Sequence, residues 1–148
     1  MTSVDIGDSV TAIGDFAFSW CESLTSVDIP DSVTRIGEWA FSDCTSLTSV
    51  DIGDSVTSIG EQAFCDCSSL TSVEIGDSVK SIGYGAFALC SDLTNVYYKG
   101  TASEWKKMSI YFENDYLSGA ARYYYSESQP TTSGNYWHYD KDGNVVVW

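Results

Sequence analysis

The chain has 148 residues and a formal charge of -14, which is enough sequence for one ordinary domain or for a small solenoid with an attached segment. Residues 1–92 contain 15 acidic and two basic side chains, whereas residues 93–148 contain six and five. Nucleic acids and anionic membrane surfaces would be repelled by this charge, which excludes both as direct partners. No apolar run is long enough to insert into a membrane.

The N-terminus has no basic or apolar leader, because Met1 is followed directly by the patterned segment TSVDI. We therefore expect either that a natural leader has been removed or that the protein stays where it is made. Met1 also stands in a column that is Leu in the later copies of a repeat, which leaves open the alternative that the sequence is a fragment of a longer protein.

Four copies of a 23-residue repeat begin at Met1, Leu24, Leu47 and Leu70, and a fifth begins at Leu93 and then leaves the pattern. The register never slips. Apolar residues recur at fixed positions, which in the second copy are Val27, Ile29, Val33, Ile36, Ala40, Phe41 and Cys44. Side chains repeated at a constant interval predict a solenoid in which like residues of successive coils stack into one interior.

Each copy predicts the same local structure. The segment LTSVDI alternates like a strand, with Val27 and Ile29 inward. A turn follows, in which Asp31 and Ser32 are expected to bond nearby backbone N–H groups. A second strand, VTRI, ends at Gly37, whose recurrence in every copy indicates a positive φ or a close backbone approach. The next segment, EWAFSDC, suits a single helical turn.

The pattern LxxVxIxDSVTxIGxxAFxxCxS resembles the BspA-type leucine-rich repeat over residues 1–96, with only the first Leu replaced. The resemblance implies a β-rich solenoid of short strands and short helical turns. It also implies a non-catalytic adhesion or protein-recognition role in a secreted or surface-bound bacterial protein. Members usually carry a secretion signal and an N-terminal cap. Both are missing here, so an intracellular location stays open and the uncapped first coil predicts self-association.

Four cysteines, Cys21, Cys44, Cys67 and Cys90, recur at the repeat spacing, and Cys65 is an extra one. A linear column does not converge on a point as zinc ligands do, and parallel Cβ vectors suit disulfides poorly. We therefore expect buried, reduced thiols and no metal, with Cys65 exposed.

The outward positions of the first strand form two rows, which we call the strand face. We expect them to bind a protein partner with a basic or polar surface; the alternative is a solvated face that limits association. The candidate binding residues are Ser26, Asp28, Ser49, Asp51, Ser72 and Glu74. A second acidic column, in the turn, is expected to make local hydrogen bonds; it consists of Asp8, Asp31, Asp54 and Asp77.

The composition changes after residue 96, and we predict a capping unit (97–125), a linker (126–134) and a β-hairpin (135–148) behind the 1–96 solenoid. TASEWKKMSI predicts a short helix with Thr101 or Ser103 as N-cap. ENDYLSG is expected to be a polar loop, and AARYYYS a strand. The polar run SESQPTTSG reads as the linker. Two alternating runs flank Asp-Gly in NYWHYDKDGNVVVW, which predicts the hairpin and favours a turn over a calcium loop.

The hairpin aromatics leave two alternatives open. They either dock on the cap, since an isolated hairpin is marginal in water, or they stack on sugars or choline. The candidate glycan-stacking residues are Tyr136, Trp137, Tyr139 and Trp148. The run is also faintly similar to the aromatic hairpins of cell-wall-binding repeats.

Catalysis is not expected. His138 is the single histidine, and nucleophile elbows, phosphate-binding glycine loops and metalloprotease motifs are all missing from the sequence. No cofactor is expected either. A further alternative is a small acidic inhibitor that imitates nucleic acid and blocks a basic groove, an interaction that salt would weaken steeply.

Overall fold

The computed structural model describes residues 2–148, so Met1 and the interpretation attached to it lie outside the described residues. The chain forms a solenoid with a sheet of mainly parallel strands on each of two sides. The larger sheet contains, in spatial order, β1 (Ser3–Val4), β3 (Ser26–Ile29), β5 (Ser49–Ile52), β7 (Ser72–Ile75), β9 (Asn95–Tyr98), β11 (Ala121–Tyr125), β12 (Tyr136–Tyr139) and β13 (Val145–Val147). The smaller contains β10 (Ser109–Ile110), β8 (Ser81–Ile82), β6 (Ser58–Ile59), β4 (Arg35–Ile36) and β2 (Ala12–Ile13).

The strands pair in the register that the repeat predicts. Val27 lies opposite Val50, and Val50 opposite Val73, so equivalent residues form successive rungs of one ladder. Their side chains are buried together with the inward isoleucines of the same strands. The threonine that precedes the strand adds a bond between coils, as when Thr48 Oγ1 donates to the Thr25 carbonyl at 3.1 Å. The predicted solenoid is confirmed.

A column of phenylalanines runs through the interior. The rings of Phe41 and Phe64 are stacked with centroids 5.1 Å apart and planes 3° from parallel, and the Phe64–Phe87 pair is nearly identical at 5.2 Å. The distance matches the strand spacing of roughly 4.8 Å, because one ring per coil must follow the rise of the coil. Each ring is fully buried, so every coil depends on its neighbours for the burial of its largest apolar side chain.

The outer segment is a run of turns rather than the single helical turn that was expected. The φ angle is positive at two positions four residues apart in each coil, for example at Trp39 and Asp43. This conformation directs N–H groups along the solenoid: those of Trp39, Phe41 and Asp43 donate to carbonyls of the next coil at 2.7–2.9 Å. Bonds between coils replace the bonds within a helix and offset the cost of the left-handed residues.

The recurring glycine is required because the backbone of the preceding coil approaches it closely, and its φ angle is not positive. A Cβ on Gly60 would lie 2.6 Å from the carbonyl carbon and oxygen of Gly37, and one on Gly83 would lie 2.6 Å from the Glu61 nitrogen. Gly14, in the first coil, has open space at the same place. Of the two explanations that the sequence offered, a positive φ and a close backbone approach, the close approach is the correct one.

Cys44, Cys67 and Cys90 are buried and reduced, as predicted, whereas Cys21 in the first coil is only partly buried. Each of the three buried thiols donates to a carbonyl of the preceding coil, as Cys67 Sγ does to Phe41 at 3.3 Å. Burial raises the pKa of Cys44 and Cys90 to about 12, so these thiols stay protonated. The expectation of an exposed Cys65 is wrong, because its side chain is buried within the stacked turns.

The C-terminal region begins as a fifth coil with an insertion. Helix α1 (Ala102–Trp105) starts with a capping box between Thr101 and Glu104. The segment expected to be a loop, ENDYLSG, contains helix α2 (Asp115–Gly119). Asn114 precedes it and closes the turn ladder: its Oδ1 accepts from the Phe87 N–H at 3.0 Å while its Nδ2 donates to the Gly83 carbonyl at 2.9 Å.

The terminal hairpin continues the large sheet. Strand β12 pairs parallel with β11 and antiparallel with β13, and Asp140 Oδ1 accepts the N–H groups of Asp142 and Asn144 in the connecting turn. Trp137 is fully buried, and its Nε1 donates to the Tyr98 carbonyl at 3.0 Å. The hairpin therefore docks on the preceding coil. The exact division at residues 97–125, 126–134 and 135–148 is retained as a proposal.

Candidate functional site

The outward side chains of β3, β5 and β7 form two straight rows. Ser26, Ser49 and Ser72 pair in one row, and Asp28, Asp51 and Glu74 pair in the other. Their exposure declines along the solenoid: Ser26, Asp28 and Ser49 are exposed, whereas Asp51, Ser72 and Glu74 are only half-exposed. The structure thus brings all six predicted residues onto one surface, but its two ends differ.

Lys99 partly closes the C-terminal end of the strand face. Its Nζ lies 3.3 Å from Asp51 Oδ1 and 2.9 Å from Asp54 Oδ1. Burial alone would lower the pKa of Lys99, but the two carboxylates outweigh it and raise the value. Burial in turn raises the pKa of Asp51, which Lys99 only partly opposes. The half-exposed Asp51 carboxylate therefore already has an ion-pair partner within the chain.

Tyr97 is paired with Glu74 and takes the next position of the acidic row, while Tyr139 of the terminal hairpin contacts Glu74 from further along the sheet. The Tyr139 hydroxyl donates to Glu74 Oε2 at 2.6 Å, so the terminal hairpin reaches back across the sheet to β7. Burial raises the pKa of Glu74, with the hydrogen bond from Tyr139 acting in the opposite direction. Burial and the bond to Glu74 both raise the pKa of Tyr139 itself. Among the outward acids of β3, β5 and β7, only Asp28 has no side-chain partner within residues 2–148.

Sequence reasoning missed the role of Lys99. A signal was present, because Lys99 stands where the preceding copies have Gly53 and Gly76. A lone base that replaces a small residue beside two acidic columns indicates an internal ion pair. Its partner Tyr139 lies 40 residues further along the chain, and only the docked hairpin brings the two together, with Lys99 Nζ 6.0 Å from the ring centroid.

The turn column does not make the local hydrogen bonds that were expected. Asp31 Oδ1 accepts the backbone N–H of Asp54 in the next coil at 2.8 Å, so this bond joins two coils instead of closing one turn. Asp54 binds Lys99, and the carboxylate of Asp77 makes no hydrogen bond or ion pair in the described part of the chain. The Ser32 hydroxyl, expected to bond the turn, is buried without a partner in residues 2–148.

A cleft of about 360 Å³ lies between the turn column and the terminal hairpin. It is lined by Asp54, Asp77, Lys99, Tyr125 and Tyr139. The rings of Tyr125 and Tyr139 have centroids 6.3 Å apart and planes inclined by 49°. The cleft therefore combines two aromatic side chains with both hydrogen-bond donors and acceptors.

The four candidate glycan-stacking residues have different surroundings. Trp137 is fully buried among Tyr97, Tyr125 and Tyr139 and presents no free ring face. Tyr136 and Tyr139 are half-buried, and Tyr136 shares a hydrogen bond with Thr132. Trp148 is exposed, with its Nε1 bonded to the Ser126 carbonyl. These side chains do not form one flat platform.

The single histidine is engaged in packing. His138 stacks on Trp148 with centroids 3.9 Å apart, and its Nδ1 contacts the Tyr139 carbonyl at 3.0 Å. Within residues 2–148, no three His, Cys, Asp or Glu side chains converge on a point where a metal ion could bind. None of the described helices is long and apolar enough to cross a membrane.

Within residues 2–148, no coil covers the N-terminal end of the solenoid. Strands β1 and β2 form the outer edges of the two sheets, and a cleft of about 280 Å³ beside them is lined mainly by apolar residues such as Ile6, Val10 and Phe18. Phe16 and Trp20 nearby are largely exposed. Self-association through this end stays a prediction.

Stacked 23-residue coils, inward aliphatic columns and a parallel ladder on one face define a leucine-rich-repeat solenoid. The profile of the family described as "BspA type Leucine rich repeat region (6 copies)" matches residues 1–117. The chain belongs to this family. No curated protein matches it significantly.

Three solved structures share the fold. A T. pallidum leucine-rich repeat protein is 25% identical, with a TM-score of 0.68 over 84% of this chain and 58% of that one. A leucine-rich cell surface protein from Faecalibacterium prausnitzii is 32% identical, with a TM-score of 0.57 over 74% and 35%. A leucine-rich repeat protein from Bacteroides capillosus is 32% identical, with a TM-score of 0.59 over 68% of this chain and 78% of that one. The chain thus spans less than two thirds of the length of each of the first two relatives.

Proposed function

We propose that this chain is a non-catalytic recognition module that binds a protein with a basic or polar surface through the N-terminal part of the strand face. The observation that carries the proposal is that the two rows are in register and that their members Ser26, Asp28 and Ser49 are exposed. Parallel rows hold hydroxyl acceptors and a carboxylate at fixed intervals, which suits the donors of arginine and lysine side chains.

The charge distribution supports a cationic partner. Asp28 is exposed and unpaired in the described residues, and Asp5 continues its column in the first coil. The surrounding repeats carry most of the charge of -14, which increases the encounter rate with a cationic surface. Asp51 and Glu74 are bonded internally, so we place the binding surface on the first two coils and the near edge of the third.

The family and its structural relatives support a non-enzymatic role at a cell surface. The F. prausnitzii relative is a leucine-rich cell surface protein, and the family is defined by its leucine-rich repeats. We therefore place this chain in a secreted or surface-exposed setting, as part of a protein that recognises or adheres to other proteins.

The proposal is tested with a displayed-peptide library selected on the full chain. Peptides rich in Arg and Lys should be enriched, and Asp5→Lys combined with Asp28→Lys should weaken the selected peptides about 100-fold, which corresponds to the loss of two charge-assisted contacts. Asp51 is unsuitable for charge reversal because the new ammonium would face Lys99.

The matched control carries the same charge change on the turn side of the solenoid, where Glu38 and Glu61 are exposed. Glu38→Lys combined with Glu61→Lys should leave the affinity within about threefold once salt screens long-range effects. An equal loss in both double variants would mean that net charge, and not the strand face, determines binding. Unchanged affinity of the Asp5/Asp28 variant would exclude this surface.

A further inference from the structure

The cleft between the turn column and the terminal hairpin has the composition of a small-ligand site. Its volume of about 360 Å³ lies within the range of ligand pockets, roughly 300–1,000 Å³. One wall comes from the turns of successive coils, with Asp54 and Asp77, and the other from the C-terminal region, with Tyr125 and Tyr139. The cleft exists only because the hairpin docks.

The walls are held rigidly. The Tyr139 hydroxyl is bonded to Glu74, and both Tyr125 and Tyr139 pack edge-on against the buried Trp137, at centroid distances of 5.2 and 4.9 Å. Lys99 is fixed by Asp51 and Asp54. A site whose side chains are already ordered loses little conformational freedom when it binds a ligand.

The polar groups of the cleft include both donors and acceptors. Lys99 has three N–H donors, of which Asp51 and Asp54 take two, and Asp77 has a carboxylate with no partner in the described residues. A hydroxyl group is both donor and acceptor, so neighbouring hydroxyls can bond to an ammonium and to a carboxylate at once. The tyrosine faces carry partial negative charge and attract polarised C–H groups.

We infer that this cleft binds a neutral saccharide, with Asp77 and Lys99 bonding hydroxyl groups and Tyr125 and Tyr139 contacting the C–H face of the ring. Lys99 offsets only one of the charges of Asp51 and Asp54, but its Nζ lines the cleft and would repel a second ammonium there, so cationic ligands are the competing outcome of the test. The site is separate from the proposed protein-binding rows of the first coils, so either proposal can fail without the other.

The test titrates the full chain with three neutral disaccharides, N,N′-diacetylchitobiose, lactose and cellobiose, and with choline and N-acetyl-lysine methylamide as cationic probes. Amide shifts in ¹H–¹⁵N spectra report binding. At least one disaccharide should shift the resonances of residues lining the cleft. Asp77→Ala should then weaken it about tenfold, since it removes a charged acceptor. Tyr125→Leu should weaken it as well, with near-ultraviolet circular dichroism checking that the hairpin remains docked.

Asp8→Ala is the matched control. Asp8 occupies the same column as Asp77 but lies in the first coil, far along the solenoid from the hairpin, and it should leave sugar affinity unchanged. The Asp5/Asp28 lysine variant should bind sugar like the unmodified chain. The inference is overturned if none of the disaccharides shifts the cleft residues, if Asp77→Ala binds them normally, or if only the cationic probes bind.

Discussion

The two ends of the same sheet are stabilised and used in different ways. In coils one to four, each strand copies the one before it, and like side chains stack in columns such as Phe41, Phe64 and Phe87. From Tyr97 onward the strands keep the ladder but the side chains form one cluster that occurs once, centred on Trp137. The repeated coils leave the strand face exposed. The cluster of the C-terminal region covers the end of that face and forms one wall of the cleft.

This difference has an energetic basis. A repeated coil gains stability only through its neighbours, so a defect in the middle is felt along the array. The terminal hairpin contacts the solenoid at one end and can detach without removing any coil's neighbour. The two regions should therefore respond differently to a lost aromatic side chain.

The largest effect is expected for Phe64→Ala, which leaves a cavity between two stacked rings in the middle of the array. We expect a loss of about 4 kcal/mol in the free energy of unfolding, measured by urea denaturation followed by circular dichroism. Trp137→Ala removes a residue of similar burial, but it should mainly release the hairpin.

Hydrogen exchange distinguishes these two outcomes. After Trp137→Ala, protection should fall in residues 136–147 and persist in β3, β5 and β7, whereas Phe64→Ala should reduce protection in all coils. If Trp137→Ala reduced protection equally throughout, the hairpin would be an integral coil and the contrast between the regions would be wrong.

A smaller effect is expected at the recurring glycine. Gly60→Ala places a Cβ 2.6 Å from the backbone of Gly37, and two stacked backbones cannot separate without breaking their ladder bonds, so a loss of about 2 kcal/mol is expected. Gly14→Ala is the control, because open space surrounds this site. It should be neutral or slightly stabilising in the same urea experiment. Equal losses would indicate that both glycines matter through backbone freedom instead of close approach.

The smallest effect concerns pH and the contact between the two regions. The raised pKa of Lys99 means that its contribution is complete below its unfolded value of 10.5 and is lost at higher pH. The raised pKa of Tyr139 acts in the same direction, since the folded state favours the neutral phenol above its unfolded value of 10.0. Hairpin docking should therefore weaken as the pH rises above about 10.

The substitution Tyr139→Phe separates the contribution of Tyr139 to this pH dependence from that of Lys99. At about pH 9 it should cost about 1 kcal/mol through the lost hydrogen bond to Glu74, and between about pH 9 and pH 11 it should lose less further stability than the unmodified chain. The readout is the urea midpoint at each pH. An identical pH dependence in both proteins would show that Tyr139 does not titrate with docking.

Much of the first region could be predicted because one periodicity determines it. Once Val27 and Val50 occupy successive rungs, the alternation of a strand requires Ser26 and Asp28 to face outward, and the spacing alone places Asp51 and Glu74 in the same row. The burial of Cys44 follows from the same column. Local chemistry also predicted α1, because Thr101 and Glu104 form their capping box within a single turn.

The sequence by itself therefore determined the solenoid, its register and the composition of its faces, since these depend on interactions between equivalent residues at a fixed interval. Tertiary structure decided which side chains of the strand face stay exposed and which have partners within the chain. Glu74 and Tyr139 are 65 residues apart, and no periodicity links them. It also decided the conformation of the outer segment, because bonds to the next coil outweigh local helix formation at Trp39 and Asp43. Contacts between unlike, distant residues depend on how the chain end folds back, and that information is not contained in the repeat.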